Sequence, residues 1–350
     1  LEQHGSSPVG TRLSKPVAAT LLNQLTRLPD LRVQKSAQDL ADDLRRRSEA
    51  SELPVPPHLE KILRPYQLDG ARFLFQRATY ELGCLLADDM GLGKTLQVLT
   101  YMQALHLRQR QAGGFLVVCP ASVLGVWLRE ALTFAPGLRA RSCVGTPAQR
   151  QEIMASRTWD LLVVTYAAMR NDIEQIRARR FHTVILDEAQ QIKNPDAQVT
   201  QAVKLVNATQ RIALSGTPLE NRLLDLWSIV DFLNPGYLGT REQFRERYSN
   251  KAEDLEHLRR RLAPLILRRT KLAVAPELPA RTEEVITLPF ADDQAKIYAK
   301  ELAAARAGLQ QKGTMELLAA ITRLRQICCH PKLWLESVGI QERKSKITAD

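Results

Sequence analysis

The sequence lacks the features of a membrane, secreted or zinc-binding protein. No apolar run approaches the roughly 18 residues that a membrane-spanning helix needs, and no signal peptide opens the chain. Its five cysteines are an odd number without CxxC spacing, and the corner formed by Cys328, Cys329 and His330 has no second ligand cluster that would complete a zinc site. We therefore expect reduced cysteines in a cytoplasmic protein without a membrane partner.

The charge balance favours a polyanionic partner. The 350 residues include 49 Lys and Arg against 38 Asp and Glu, which gives a net charge of +11. Nucleic acid is the first expectation and an acidic membrane surface the second, although solubility or a basic tail also explains such an excess. The chain begins with Leu1 rather than Met, so we expect a piece of a longer protein.

Five short apolar runs predict the buried strands of a parallel sheet. They lie at residues 83–87, 115–119, 161–165, 183–186 and 211–214. Segments long enough for helices separate them, and the first run is preceded by a helix predicted at 66–80. Apolar strands that alternate with helices indicate an α/β fold, in which helices cover both faces of a parallel sheet.

This strand and helix pattern occupies residues 58–240. Residues 1–57 precede it, with helical patterns at 17–28 and 37–49 and a proline-containing linker at 51–57. We therefore expect an N-terminal helical segment joined to one large α/β domain.

The pattern changes after residue 240. Residues 241–282 contain eleven Lys and Arg against six Asp and Glu, and they are predicted to form a basic helical insertion. Residues 283–350 are predicted to hold a strand at 283–288 and two connector helices, at 291–307 and 315–328.

A glycine-rich turn after the first strand predicts a phosphate-binding loop. Gly91 and Gly93 let the backbone approach an anion, and Lys94 adds a positive charge. Thr95 can offer its hydroxyl to a magnesium ion. The general pattern GxxxxGK[ST] has a glycine where this chain has Asp88, and a short GxGKT string also occurs in ordinary turns. The flanking strand and helix favour the phosphate loop.

Two carboxylates end the fourth strand. Asp187 would hold magnesium through its water shell, and Glu188 would polarise an attacking water, as nucleotide hydrolysis requires. A carboxylate pair after a strand also caps helices. The phosphate loop at the end of another strand favours hydrolysis, because the carboxyl ends of parallel strands meet at one edge of the sheet. The other polar motifs follow strands in the same way, at 120–122, 165–166 and 215–218.

Together these motifs resemble the first RecA-like lobe of a Swi/Snf-type ATPase of the helicase-like superfamily two, over roughly residues 59–335. The matching segments are Arg64–Gly70, Asp88–Thr95, Cys119–Ser122 with Trp127, Asp187–Gln190 with Ile192–Asn194, Ser215–Asn221 with Leu226–Ser228, Leu267–Lys271 and Leu324–Pro331. Cys329 stands where the family more often has Asn, in a structural link. The resemblance implies a P-loop RecA-like sheet, ATP and Mg²⁺ as ligands, and translocation on double-stranded DNA in a bacterial, nucleoid-associated protein.

The resemblance also implies roles for individual residues. Gln67 would bind the adenine edge, although a plain helical glutamine looks the same. The nucleotide-binding set would be Gln67, Asp89, Met90, Gly91, Leu92, Gly93, Lys94 and Thr95. The metal would be held by Thr95 and Asp187, and the catalytic residues would be Lys94, Asp187 and Glu188. The coupling residues would be Gln190, Ser215 and Thr217, although a Ser-Gly-Thr-Pro turn is an alternative.

The DNA contacts are predicted at two places. Ser122 and Thr165 would meet the phosphate backbone, although Ser122 is also a predicted helix cap and plain capping would explain both. Arg259, Arg260 and Arg261 would lie alongside, although a solvated helix face has the same composition. Trp127 is predicted to be a core residue rather than a stacking platform.

In Swi/Snf-type motors a second lobe supplies arginine fingers, whose absence costs on the order of a thousandfold in turnover. The chain ends about where that lobe would begin, so we expect it to carry the nucleotide half-site and to be nearly inactive alone. Two other functions remain open: a scaffold that uses ATP as a switch while binding a transcription or repair partner, and an RNA helicase. The segment 215–228 and the basic insertion favour the DNA translocase.

Overall fold

The computed structural model describes residues 52–108, 114–156, 158–216, 223–249, 251–274, 284–308 and 314–335. The helices predicted at 17–28 and 37–49 and the coupling residue Thr217 lie outside these residues. Within the described part, no helix is long and apolar enough to cross a membrane. The chain divides into two compact units, Leu1–Leu278 and Pro279–Asp350.

The first unit is built on a seven-stranded parallel sheet. The strands are β1 (Cys84–Leu86), β2 (Phe115–Cys119), β3 (Ala140–Ser142), β4 (Leu161–Thr165), β5 (Arg180–Leu186), β6 (Asn207–Leu214) and β7 (Ile266–Leu267). Their order across the sheet is β3-β4-β2-β5-β6-β1-β7, and every pairing is parallel. This confirms the predicted α/β class with a parallel sheet.

Helices connect the strands and cover the sheet. In chain order they are α1 (Pro57–Glu60), α2 (Pro65–Thr79), α3 (Lys94–Arg108), α4 (Ala121–Phe134), α5 (Pro147–Ala155), α6 (Tyr166–Asn171), α7 (Ile173–Arg177), α8 (Gln198–Lys204), α9 (Leu223–Leu233), α10 (Arg241–Arg247), α11 (Ala252–Leu262) and α12 (Lys271–Val274). A 3₁₀ turn, Ala189–Ile192, follows β5.

Side chains at alternate positions of the strands pack into two separate apolar cores, one on each face of the sheet. Cys84 and Leu86 of β1 belong to a cluster that includes the apolar sides of α2, α3 and α4. Leu85, between them, belongs to the cluster on the opposite face. Because both faces are covered, the central strands carry continuous apolar runs, and these runs are what the sequence shows.

Two strands and one helix start differ from the sequence prediction. β3 and β7 were not predicted, because β3 (Ala-Arg-Ser) is not an apolar run and β7 (Ile-Leu) is only two residues long within a stretch expected to be helical. Ser122 does not cap α4, since the helix begins at Ala121 with Pro120 at the cap position.

A third apolar cluster packs the basic stretch onto the sheet domain. Trp227 of α9 meets Phe244 of α10 and Leu258 and Leu262 of α11 in this cluster. The chain then enters β7, which pairs with β1. The basic stretch is therefore followed by a strand that lies beside β1, the strand that leads into the phosphate loop.

The second unit contains two helices, α13 (Asp292–Gly308) and α14 (Thr314–Cys329), close to the predicted bounds. Gln294 donates hydrogen bonds to the carbonyls of Ile327 and Cys328, at 2.7 and 3.2 Å. Residues 284–288 form no strand, contrary to the prediction. Their apolar side chains, such as Val285 and Leu288, are exposed, so they do not pack as the side chains of a buried strand would.

Candidate nucleotide-binding site

The phosphate loop lies between β1 and α3, as predicted. Gly91 and Gly93 have φ angles of 83° and 74°, a region that glycine adopts without steric cost. Lys94 begins α3, and its ammonium donates to the carbonyls of Asp88 (2.8 Å) and Asp89 (3.4 Å). The cation is therefore folded back onto the loop.

The Lys94 ammonium is partly buried, and four carboxylates lie around it. Burial lowers the pKa of Lys94, while the carboxylates of Glu188, Asp88, Asp187 and Asp89 oppose that shift. A phosphate beside this ammonium would offset the burial cost in the same direction as the carboxylates do. Leu92 of the loop is buried and Met90 is 64% exposed, so the two point to opposite sides.

Gln67 packs directly against the phosphate loop. It is buried, it accepts from the backbone N–H of Arg64 at 3.0 Å, and its amide donates to the carbonyl of Leu92 at 3.3 Å. It is therefore not an exposed helical glutamine. A Cβ added to Gly93 would lie 2.5 Å from the Gln67 amide nitrogen, so the glycine also makes room for this contact.

Asp187 sits at the carboxyl end of β5 with both carboxylate oxygens hydrogen-bonded. Oδ2 accepts from the indole N–H of Trp127 at 2.8 Å, and Oδ1 accepts from the backbone N–H of Glu188 at 3.0 Å. Burial raises the pKa of Asp187, and the charge of Glu188 adds to this, whereas the Trp127 hydrogen bond and Lys94 lower it. Trp127 is a core residue, as predicted, but its indole also orients this carboxylate.

The residues fit a magnesium site of the kind that nucleotides complete. Within the described residues, no cluster of three or more His, Cys, Asp or Glu side chains could hold a metal by itself. Mg²⁺ usually takes only one or two protein ligands, with waters and substrate phosphates filling the remainder. Asp187 offers a carboxylate whose charge is disfavoured by burial, and a cation would stabilise it. Thr95, on the first turn of α3, is the hydroxyl predicted to join it.

A hydrogen-bonded chain links the acidic motif to the end of β6. Ser215 Oγ donates to Gln190 Oε1 at 3.2 Å, and the Gln190 amide donates to Glu188 Oε2 at 2.6 Å. Glu188 adopts a left-handed backbone conformation, with φ of 52°, which is uncommon outside glycine. Two of the three predicted coupling residues therefore contact the predicted catalytic carboxylate in series.

The end of β6 also lies against the phosphate loop. A Cβ added to Gly216 would be 2.6 Å from Met90 Cγ and 3.4 Å from Lys94 Nζ. A movement of the loop around a bound phosphate would therefore displace residues 215–216, which lie in contact with it.

The predicted DNA contacts fall into two groups. Ser122 is exposed in the first turn of α4, and Thr165 ends β4, where its hydroxyl accepts from the N–H of Ala168 at 3.1 Å. β2, which precedes Ser122, and β4 both end at the edge of the sheet that carries the phosphate loop. The Thr165 hydroxyl caps the helix that follows it. Ser122 and Thr165 nevertheless both lie at the edge of the sheet where the phosphate loop and the acidic motif are found, which we call the motif edge.

The three arginines of α11 do not share one environment. The side chains of Arg259 and Arg260 are 84% and 78% exposed, and among the described residues they form ion pairs with Glu256 of the same helix. Arg261 donates to the carbonyl of Tyr237 and, at 3.4 Å, to the hydroxyl of Tyr248. Arg261 therefore bonds to two residues of the third apolar cluster, whereas Arg259 and Arg260 face solvent.

Two contacts at the site were not foreseen from the sequence. The indole of Trp127 binds Asp187, and Arg269 binds Asp88, across 60 and 181 residues of chain respectively. The acid at position 88, where the general pattern has glycine, was the one signal in the sequence that pointed to a special partner for this loop.

Comparisons with known proteins identify the family of the chain. A family model described as "SNF2-related domain" matches residues 66–333. A putative ATP-dependent helicase/translocase, YwqA of Bacillus subtilis, is 36% identical over 321 residues, which cover 86% of this chain and 34% of that protein. Human TATA-binding protein-associated factor 172 is 34% identical over 85% of this chain and 18% of its own length.

A solved structure gives the same answer for the fold. The Sulfolobus solfataricus SWI2/SNF2 ATPase core in complex with dsDNA aligns with a TM-score of 0.58 at 32% identity, over 80% of this chain and 64% of that chain. The chain spans about a third or less of the length of the curated relatives that it matches. These matches confirm the resemblance noted in the sequence: the chain belongs to the SNF2-related family and has the fold of a SWI2/SNF2 ATPase core lobe.

Proposed function

We propose that this chain is the ATP-binding lobe of a DNA-dependent ATPase that translocates on double-stranded DNA and remodels protein–DNA complexes. ATP would be its nucleotide and Mg²⁺ its metal. The observation that carries the proposal is the convergence of Lys94, Asp187 and Glu188 at one edge of the sheet, with Gln190 and Ser215 bonded in series to Glu188.

The chemistry follows from these positions. Lys94 and the backbone N–H groups that open α3 would bind the β- and γ-phosphates. Mg²⁺, held through Asp187 and Thr95, would neutralise charge on the phosphates when bound. Glu188 would orient and deprotonate the attacking water. The Gln190–Ser215 chain would report the presence of the γ-phosphate to the segment after β6. A second lobe would supply the arginine fingers that complete turnover.

Duplex DNA is the proposed track. The net positive charge, the exposed Arg259 and Arg260, and the position of Ser122 and Thr165 at the motif edge support a contact with the phosphate backbone. The solved relative with bound dsDNA supports the same partner class. Relatives described as TATA-binding protein-associated factors support a protein partner of the transcription machinery as a further feature.

ATP binding by this chain tests the nucleotide half-site. Lys94→Ala removes the ammonium that is bonded to the loop carbonyls, and a charge-assisted contact to phosphate contributes about 1.5–3 kcal/mol. We expect the affinity for Mg-ATP, measured by calorimetry, to fall about tenfold or more.

The matched control is Lys251→Ala, which removes an exposed lysine ahead of α11 and should leave the affinity unchanged. Equal affinities in the parent and Lys94→Ala would refute the assignment of the phosphate site.

A further inference from the structure

The acid at the start of the phosphate loop has an unusual partner. Asp88 is fully buried, and its carboxylate accepts four hydrogen bonds. Oδ1 accepts from the backbone N–H of Arg269 (3.1 Å) and its Nε (3.0 Å). Oδ2 accepts from Arg269 Nη2 (2.5 Å) and from the amide of Gln97 on α3 (3.2 Å). A buried charge is costly unless it is paired and hydrogen-bonded, and the Asp88 carboxylate meets both conditions through Arg269 and Gln97.

The same arginine joins three elements around the loop. Its guanidinium also donates to Gln97 Oε1 at 2.7 Å and to the carbonyl of Tyr66 at the start of α2. Gln97 in turn donates to the carbonyl of Leu92 within the loop, at 3.2 Å. Arg269 therefore binds the beginning of the loop directly and its middle through Gln97.

The backbone after β7 runs along the loop as well. The N–H of Asp89 donates to the carbonyl of Arg269 at 3.0 Å, and the N–H of Lys271 donates to the Asp89 carboxylate at 3.0 Å. Asp88 and Asp89 are also the two residues whose carbonyls hold the Lys94 ammonium. Residues 269–271 thus secure both residues that position the phosphate-binding lysine.

We propose that Arg269 is a positioning residue for nucleotide binding, and that Asp88 replaces the usual glycine in order to receive it. This inference rests on the proposed function, since it concerns the same phosphate site. The general phosphate-loop pattern has a glycine at this position, which has no side chain that could bind a partner. Here the loop is anchored from the segment that follows β7, so any displacement of that segment would move the carbonyls that hold Lys94.

Restoring the general pattern tests the inference. Asp88→Gly gives the loop the glycine of the general sequence but removes the partner of Arg269. We expect the affinity for Mg-ATP to fall about tenfold or more, as for the loss of a charge-assisted hydrogen bond. We expect Tm to fall by about 5–15 °C, because Arg269 is left buried without its carboxylate.

The double variant Asp88→Gly/Arg269→Met separates positioning from stability. It removes both charges, so much of the decrease in Tm should be reversed. The affinity for Mg-ATP should stay at the weakened level, because nothing then anchors the loop.

A second buried ion pair supplies the control. Arg150 and Asp172 bond at 2.5 and 2.8 Å, with side chains 12% and 9% exposed, against 13% and 0% for Arg269 and Asp88. They follow β3 and β4, at the edge of the sheet opposite to β1 and β7. Asp172→Gly should lower Tm as Asp88→Gly does, and Asp172→Gly/Arg150→Met should restore part of it. The affinity for Mg-ATP should stay unchanged in both variants.

The outcomes are distinct. Parental affinity in Asp88→Gly, or in the double variant, would overturn the positioning role and leave the pair as a stabilising contact only. Weakened affinity in the Asp172 variants would show that the nucleotide site responds to the removal of any buried ion pair, and this would also overturn it. If the parent chain itself does not bind Mg-ATP, the proposed function fails, and the positioning role fails with it.

Discussion

A glycine inside helix α2 provides a prediction that runs against helix propensity. Replacing an interior helical glycine by alanine normally stabilises a helix by about 1 kcal/mol. At Gly70 the added Cβ would lie 1.7 Å from Gln97 Oε1 and 2.8 Å from Arg269 Nη2. Gln97 is fully buried, so its amide has no solvent into which it can turn. We therefore expect Gly70→Ala to destabilise the chain.

The magnitude follows from the hydrogen bonds that the substitution would break. Displacing the Gln97 amide breaks its bond from Arg269 (2.7 Å) and its bond to Asp88 (3.2 Å). Each involves a charged group and contributes about 1.5–3 kcal/mol. After the gain of about 1 kcal/mol in propensity, the net destabilisation is about 2–5 kcal/mol.

Thermal unfolding of two alanine variants gives the assay. Gly125→Ala in α4 is the control, because its Cβ would meet only Arg129 Nη1, at 3.7 Å. We expect Tm to rise by about 2 °C in Gly125→Ala and to fall by about 5 °C or more in Gly70→Ala. The reasoning is refuted if Gly70→Ala stabilises the chain as much as Gly125→Ala does.

Three further predictions concern the carboxylates and the basic helix. In the full-length protein, Glu188→Gln should retain ATP binding while steady-state turnover falls by about 10²–10⁴, and parental turnover would show that Glu188 is not the base. Burial raises the pKa of Asp187, so its stabilising contribution is present when it is protonated and disappears as the pH rises through the folded-state pKa. The parent should therefore gain stability relative to Asp187→Asn as the pH is lowered from 7 towards 4 in urea unfolding, and a pH-independent difference would contradict this. Reversing the charges of Arg259 and Arg260, but not the structural Arg261, should reduce the salt slope of duplex binding by about 0.9 for each DNA phosphate that is no longer neutralised, and an unchanged slope would make them surface residues only.

The parts of the site that lie within one continuous stretch were predictable from the sequence. The phosphate loop and the Asp187–Glu188 pair each follow an apolar strand, and the strands are apolar because both faces of the sheet are covered. The strand ends then place these motifs together, since a parallel sheet has one carboxyl edge.

The parts that depend on distant partners were not predictable. β7 is two residues long and forms only because β1 offers a free edge beside it, so no local pattern marks it. The sequence predicts Trp127 to be a core residue, and the residues next to it in the chain do not indicate that its indole binds Asp187. Arg269 lies in a basic stretch that resembles a solvated helix, and only the fold brings it to Asp88.

The central claim is tested most directly by ATP turnover of the full-length protein with duplex DNA, single-stranded DNA and RNA, compared at one salt concentration. We predict that duplex DNA stimulates turnover most, that duplexes of unrelated sequence stimulate it equally, and that raising the salt concentration removes the effect. Stimulation by RNA equal to or greater than that by duplex DNA, or no stimulation by any nucleic acid, would contradict the account.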